Sequence, residues 1–581
     1  MAERVTVSVE NTAQAYLELL RAMGVKYFFG NAGTDFASLI DGFAKFAAEG
    51  KTAPRPLQVP HEFCAVSMAH GYSLVTGEPP LVMVHTTVGT ANALCGVINA
   101  ARARIPLILT AGRTPVTEAG RLGSRDLLIH WAQESFDQGA MVREYVKWDY
   151  ELRAFSQLET VVRRAFTLAM SEPKGPVYLT LPREVLAEPH DEFTFDKSPG
   201  FSAAVSLPFP DPERIAEAAA LLAAASHPLI ITRTYGRNAA AVPALVALAE
   251  SFAIPVIEYP FPAHVNFPAG HPLHLGFDPG ALLPDADVIL VIDCDVPWIP
   301  SLHRPREGAH VLHLGVDPLQ GRYPVWGFPV SVALVADPAV AVPLLTAALG
   351  KHRAGREEAI AQRFRRLAQE HDAQRAGWRQ EAEEAGRSQA LTFEWVSHCL
   401  NQIKDDDMIF VNEYDLSLRH VEFNMPGSYL GFSPAGGLGW GVGGALGVKL
   451  GAPERTVISV VGDGTYLFSV PSACHLVSAM YGLPVLFVIC NNGGWGATQA
   501  ATRGVHPHGW AVRTEYFPFG RFAVQPAYEM FAHACGGHGE VVRHPRDLPD
   551  ALRRALRVVR EEKRQALVNV DCGNVRGFGV R

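Results

Sequence analysis

Cysteine is scarce and scattered in this sequence: eight among 581 residues, at Cys64, Cys95, Cys294, Cys399, Cys474, Cys490, Cys535 and Cys572. The close pairs of a zinc site and the dense spacing of a small disulfide framework are both missing, so the thiols read as reduced residues in a cytoplasm. Positive charge is also in deficit, with 51 Lys and Arg against 59 Asp and Glu and a net charge of −8. The summed field of such a chain attracts neither nucleic acid nor an anionic membrane. No apolar run reaches the roughly 18 residues of a membrane helix, and stretches such as 483–490 are strand-length. The opening residues place acids and polar groups where a secretory signal needs a basic start and an apolar run, so a soluble cytoplasmic protein is expected. No Gly-x-Gly-x-x-Gly follows a first strand, which argues against a plain nicotinamide-dependent oxidoreductase.

What is present is a globular composition, 48% hydrophobic with 52 Gly and 42 Pro, in a chain long enough for three or four domains. Short apolar runs (YFFG, LVMVH, IPLILTAG, PVYLTLP) alternate with amphipathic stretches, the pattern of βαβ units on a parallel sheet. The spacing predicts three consecutive doubly wound α/β domains: 1–190, 207–350 and 391–581. A Pro- and Phe-rich linker is expected at 193–210 and a charged, solvated connecting helix at 351–390. Three domains of one architecture in a row suggest duplication of a single sheet type.

The strongest local signal is VVGDGTYLFSVPSACHLVSAMYGLPVLFVICNN, in which one strand ends at Gly462-Asp463-Gly464 and the next at Asn491-Asn492. Asp463 and Asn492 then sit at the carboxyl ends of two parallel strands, the edge where open α/β sheets bind ligands. A carboxylate and an amide oxygen suit a hard octahedral cation such as Mg²⁺, and the flanking glycines let the backbone approach a diphosphate. Gly-Asp-Gly alone is only a turn. The full stretch resembles the thiamine-diphosphate (ThDP) signature, GDG followed some 25 to 30 residues later by NN, at the long end of that spacing. The resemblance implies ThDP and Mg²⁺ as cofactors, with Asp463, Asn492 and the Gly494 carbonyl as metal ligands and Gly462 and Gly464 beside the diphosphate.

Matches far from that motif point the same way. VPHEFCAVSMAHGYSLVTG resembles the segment that carries the cofactor-activating glutamate in the acetolactate-synthase and benzoylformate-decarboxylase group, which assigns Glu62 to the aminopyrimidine N1′. Taken alone, Glu62 is an acid in the first turn of a helix. SPAGGLGWGVGGALGVKLG resembles the loop that holds the bent cofactor, so Leu438 would be the wedge under its rings and the Gly436 carbonyl the acceptor from N4′. GNAGT resembles the decarboxylase GNPGS loop and puts the Thr34 hydroxyl at the substrate. His85, before TTVGTAN, resembles the decarboxylase HSAAGTGN segment, and His271 falls where that enzyme has a second histidine, with His274 a neighbouring alternative. Such a pair could relay a proton near neutral pH.

Two features differ from the decarboxylase pattern. Asn412-Glu413-Tyr414-Asp415 puts an aspartate where small hydroxyl residues are expected to hold diphosphate, and Gly493 to Ala497 forms a different pocket wall. Arg233 and Arg237 could meet a phosphate but read more simply as surface residues. The leading reading is a ThDP- and Mg²⁺-dependent, non-oxidative 2-oxoacid decarboxylase with carboligase activity. An acetolactate-synthase-like carboligase or 2-hydroxyacyl-CoA lyase is the alternative, and a non-catalytic ThDP-binding protein the reading from a different class. The resemblance further implies a homodimer or homotetramer with sites at subunit interfaces.

Overall fold

The computed structural model describes residues 4–197 and 205–573. Three parallel sheets follow one another along the chain. The first runs Arg55–Gln58, Tyr27–Gly30, Leu81–Val84, Ile108–Arg113, Val177–Pro182, Asp149–Glu151, and the third runs Tyr429–Gly431, Met408–Glu413, Thr456–Gly462, Val485–Asn491, Ala566–Asp571, His538–Val542. Numbered within its own sheet, each has the strand order 2-1-3-4-6-5, which is what duplication of one sheet type requires. Between them lies a five-stranded sheet, Val256–Glu258, Pro228–Thr232, Val288–Ile292, His310–Gly315, Val332–Val335. Central strands such as Thr456–Gly462 and Val485–Asn491 are buried along their whole length, because helices cover both faces.

In the first and third sheets the strand order reverses between the first and third strands. That is the topological switch point, where diverging loops leave a crevice. The candidate loops open there: Asn31 to Thr34 and His85 in the first sheet, Tyr414-Asp415 and Asp463 in the third.

The two sheets meet through a helix pair, Glu62–Thr76 against Trp440–Gly451. Glycine sets their closeness. A Cβ on Gly71 would lie 2.0 Å from the Gly444 carbonyl oxygen, and one on Gly447 would lie 1.8 Å from that of Met68. Cys64 and Cys474 also meet across this junction, Sγ to Sγ 3.2 Å, as free thiols.

Two expectations about the connections need correction. Glu192–Asp196 is a strand paired antiparallel with Arg4–Ser8, and Phe193 and Phe195 point into the core, so the first unit extends past residue 190 and the start of the expected linker is structured. The period-2 alternation of aromatic and polar residues is the cause. The charged segment is a helix, Glu357–Gly386, but not wholly solvated: Ile360 and Leu367 join the middle core, and Arg375 reaches the Ala269 carbonyl. Among the described residues no helix is long and apolar enough to cross a membrane.

Candidate active site

Glu62 is the first residue of its helix, behind His61, whose Nδ1 accepts the Phe63 amide at 3.2 Å. Its carboxylate is buried and receives Asn92 Nδ2 on Oε2 at 3.1 Å. Gly89 makes room for it, since a Cβ there would stand 3.3 Å from Oε1.

His85 follows the strand Leu81–Val84 and lies over Gly33, whose missing side chain is a condition of that placement: a Cβ would sit 2.1 Å from Nδ1. The imidazole Nδ1 meets Asp35 Oδ1 at 2.6 Å. This hydrogen bond raises the His85 pKa against the opposing effect of burial, and the Glu62 carboxylate adds to the rise. Asp35 is itself buried, in a space that Gly112 leaves open. Thr86, next in the chain, holds φ +42°, a conformation costly for a β-branched residue and the kind of strain that gathers at functional sites. Thr34 is exposed, with Oγ1 3.5 Å from Nε2 of the buried His130.

The facing elements come from the third sheet. Asp463 opens a short helix directly after the strand Thr456–Gly462, and its Oδ2 accepts the Gly493 amide at 3.0 Å. Burial pushes its carboxyl up to about 6. Among the described residues no Lys or Arg pairs with it. Asn492 Oδ1 accepts the Gly494 amide at 3.2 Å. One carboxylate, one amide oxygen and nearby peptide oxygens form a hard-oxygen donor set of the kind that Mg²⁺ completes with phosphate and water. Among the described residues no group of three or more His, Cys, Asp and Glu is placed to hold a metal. Gly464 leaves the space that the Trp495 ring fills, a Cβ there lying 2.4 Å away. Asp415 points at Gly462; burial first, and the Asp463 carboxylate second, raise its pKa well above the usual range, which favours the neutral acid over an anion opposed to phosphate.

The loop 433–439 carries Gly436, at φ +65°, and the half-buried Leu438. It is clasped at both ends. Asn99, from the helix Thr86–Arg102, donates Nδ2 to the Gly437 carbonyl at 2.8 Å and accepts the Gly437 amide on Oδ1 at 3.1 Å. Glu413 accepts the amides of Gly439 at 3.0 Å and Gly441 at 2.6 Å, and burial pushes its carboxyl up to about 8.

The structure therefore brings together Glu62, His85 and Thr34 in one crevice and Gly462, Asp463, Gly464, Asn492 and Gly494 at another, with Gly436 and Leu438 on an adjoining loop. His271 is not in the first group; it lies in the middle domain against Phe267, with Nε2 3.2 Å from Glu250. His274 is buried and bonded to Glu258 at 3.0 Å. Arg233 is not a surface residue: it is buried and donates to the carbonyls of Pro260 and Phe432, whereas Arg237 is partly exposed and stands 3.3 Å from Asp293. Sequence reasoning missed Asp35, Asn92, Asn99 and His130. Asp35 adjoins Thr34 and was within reach of the motif; a lone histidine in LLIHW carries no such signal.

Comparison with known proteins adds independent findings. Residues 10–141 match the family model for the N-terminal TPP-binding domain of thiamine pyrophosphate enzymes, 215–345 the central domain and 414–570 the C-terminal TPP-binding domain. The chain is 28% identical to benzoylformate decarboxylase of Pseudomonas aeruginosa, over 84% of this chain and 86% of that one. It is 25% identical to the acetolactate synthase isozyme 3 large subunit of Escherichia coli, over 96% and 94%. In fold it is similar to the 4-hydroxybenzoylformate decarboxylase of Rhodococcus jostii, with TM-score 0.75, 23% identity and coverage of 98% and 100%.

Proposed function

Since the chain belongs to the thiamine pyrophosphate enzymes and is a ThDP-dependent enzyme, we propose that it is a Mg²⁺-dependent, non-oxidative 2-oxoacid decarboxylase with carboligase activity. The observation that carries this reading is the Asp35-supported His85 imidazole beside Glu62, a proton donor poised in the same crevice as the activating acid.

When bound, ThDP supplies the nucleophilic carbon and the electron sink for cleavage next to a carbonyl. Asp463, Asn492 and the Gly494 carbonyl would hold Mg²⁺ and through it the diphosphate. Gly436 and Leu438 would hold the bent cofactor, the first as acceptor and the second as wedge. Glu62, kept in place by Asn92, would exchange a proton with the aminopyrimidine. His85, its Nδ1 fixed by Asp35 and its ring also facing the Gln133 side chain, would deliver a proton to the product carbon.

The cofactor-activating and metal-binding residues belong to different domains, and in this reading each pairs with its counterpart on a second copy in a homodimer or homotetramer. Exposed apolar side chains beside both groups, Leu128, Trp131 and Phe136 on one and Phe468, Leu476 and Met480 on the other, support a covered surface there. The domain limits 207–350 and 391–581 are part of the proposal, as is a cytoplasmic location.

A carboligase or 2-hydroxyacyl-CoA lyase is the second reading. It draws on a cavity of about 950 Å³ between the three domains, which has the size for a phosphate-bearing group and where Arg102, Arg104, Lys147 and Arg322 stand among carboxylates that include Glu172 and Asp293.

The test is turnover of a panel of 2-oxoacids and 2-hydroxyacyl-CoAs with CO₂ and formyl-CoA both measured, alongside Glu62→Ala. The expected result is CO₂ release from a 2-oxoacid and, in Glu62→Ala, retained ThDP with turnover lower by roughly 10²- to 10⁴-fold. Formyl-CoA without CO₂ selects the second reading. Mixing Glu62→Ala with Asp463→Ala subunits should restore some activity; no recovery after subunit exchange refutes the shared site.

A further inference from the structure

Thr34 has a hydroxyl at the mouth of the first crevice, yet an isolated hydroxyl is a poor acid and a poor base near neutral pH, far from the matched pKa that proton transfer needs. The structure places a histidine behind it. His130 lies on a short helical turn, Ile129–Ala132, and is buried while its apolar neighbours Leu128, Ile129 and Trp131 are exposed. This inversion of the usual preference, an imidazole inside and leucine outside, turns the ring toward Thr34.

We propose that Thr34 and His130 form a proton relay, in which the exposed hydroxyl meets the substrate and the buried imidazole behind it stores the proton. The proposal rests on the reading of this crevice as the 2-oxoacid site.

Three contacts support it. Nε2 of His130 is 3.5 Å from Thr34 Oγ1. Nδ1 is 3.2 Å from the Asp126 amide and also 3.2 Å from Asp126 Oδ1. The far nitrogen thus has a partner in either tautomer, the amide when it accepts and the carboxylate when it donates, so Nε2 can gain or lose its proton without leaving a buried group unsatisfied.

The proton balance is simple. As the hydroxyl on the reacting carbon becomes the product carbonyl, its O–H bond breaks and the proton passes to Thr34 Oγ while the Thr34 hydroxyl's own proton passes to Nε2; the imidazolium formed faces the Asp126 carboxylate through Nδ1–H, and the proton returns by the same path to the carbonyl oxygen of the next substrate. No oxidant or reductant takes part. The charged and titratable groups around His130 are Asp126, Arg183, Arg125 and His85, with Arg183 held on the Asp126 carboxylate at 2.9 and 3.2 Å. Burial, followed by Arg183, lowers the His130 pKa, whereas Asp35 raises that of His85. Two histidines served by adjacent residues, 34 and 35, are thereby pushed apart into a base and an acid.

The experiment compares holoenzyme turnover of benzoylformate and pyruvate in wild type, Thr34→Val, Thr34→Ser, His130→Asn and the Thr34→Val/His130→Asn double variant. Each loss variant should lower kcat by roughly 10²-fold with ThDP affinity unchanged, and the double variant should fall no further. Thr34→Ser should restore most activity, and the acidic limb of the pH profile should vanish in His130→Asn. Multiplicative losses, or full activity in His130→Asn, would overturn the relay. Nitrogen-15 histidine NMR of the apo chain gives a reading independent of substrate: Thr34→Val should move the His130 titration, and an unmoved titration refutes the contact even where no 2-oxoacid is turned over. His130→Gln replaces His130→Asn in all measurements if the latter fails to fold.

Discussion

The Asn99 side-chain amide and the Gly437 peptide exchange two hydrogen bonds, 2.8 and 3.1 Å, across the junction of the first and third domains. Glycine is required at the receiving end, because a Cβ on Gly437 would stand 2.8 Å from both polar atoms of the amide. Ser433 adds a third tie, its hydroxyl donating to the Asn99 carbonyl at 2.9 Å. The loop holding Gly436 and Leu438 is therefore positioned by a helix of the other domain.

Asn99→Ala should loosen that loop without dissolving the fold. Leaving the Gly437 peptide partly unsatisfied costs about 1–3 kcal/mol, and if the loop shapes the cofactor, ThDP affinity should fall by about tenfold or more. Calorimetric titration with ThDP and Mg²⁺ measures it; unchanged affinity would detach the clasp from cofactor binding.

Asp463→Ala should abolish retention of ThDP, and a chelator should do the same to the wild-type protein reversibly. Asp463 is the one buried carboxylate in the proposed ligand set, and no basic side chain of the described residues substitutes for the cation. Cofactor content after gel filtration, with and without added Mg²⁺, decides the point.

Asp35→Asn should shift the alkaline limb of activity toward lower pH. Asp35 raises the His85 pKa, so removing the carboxylate lets the imidazole lose its proton sooner. The stability effect has the same sign: a raised folded-state pKa contributes stability that is full below the unfolded value of about 6.5 and is lost as pH rises through the folded value. The Tm gap between wild type and Asp35→Asn should thus be widest at low pH and narrow as pH increases.

Gly447→Ala should destabilise the chain by about 1–3 kcal/mol or more, since the added carbon meets the Met68 carbonyl at 1.8 Å and backbone cannot rotate away. Gly350→Ala, at a helix end with open space, is the control and should leave Tm unchanged.

The sheets and the sequence motifs were legible because periodic apolar runs and the GDG-to-NN spacing are local signals. Asp463 and Asn492 fall at strand ends as the pattern predicts. Contacts made by distant segments were not legible. Nothing in the neighbourhood of His130 announces that it will lie against Thr34, 96 residues earlier, and nothing near Asn99 points to Gly437. Arg233 reads as a surface residue because arginine usually is exposed, whereas here buried carbonyls receive it, and the partly exposed Arg237 turns to Asp293. Phe193 and Phe195 were hidden by the prolines that follow, although their alternation with polar residues was visible.

The glycine seam between Glu62–Thr76 and Trp440–Gly451 has a further consequence. Where side chains interlock, a junction can drift through a series of nearly neutral exchanges, one methyl group at a time. Where peptide meets peptide, as at Gly71 and Gly447, the smallest available change is already a collision. Mutation can break such a joint but cannot adjust it by degrees, so the angle between these two domains is inherited whole, and novelty in what the chain accepts has to arise in the loops at the crevice rim.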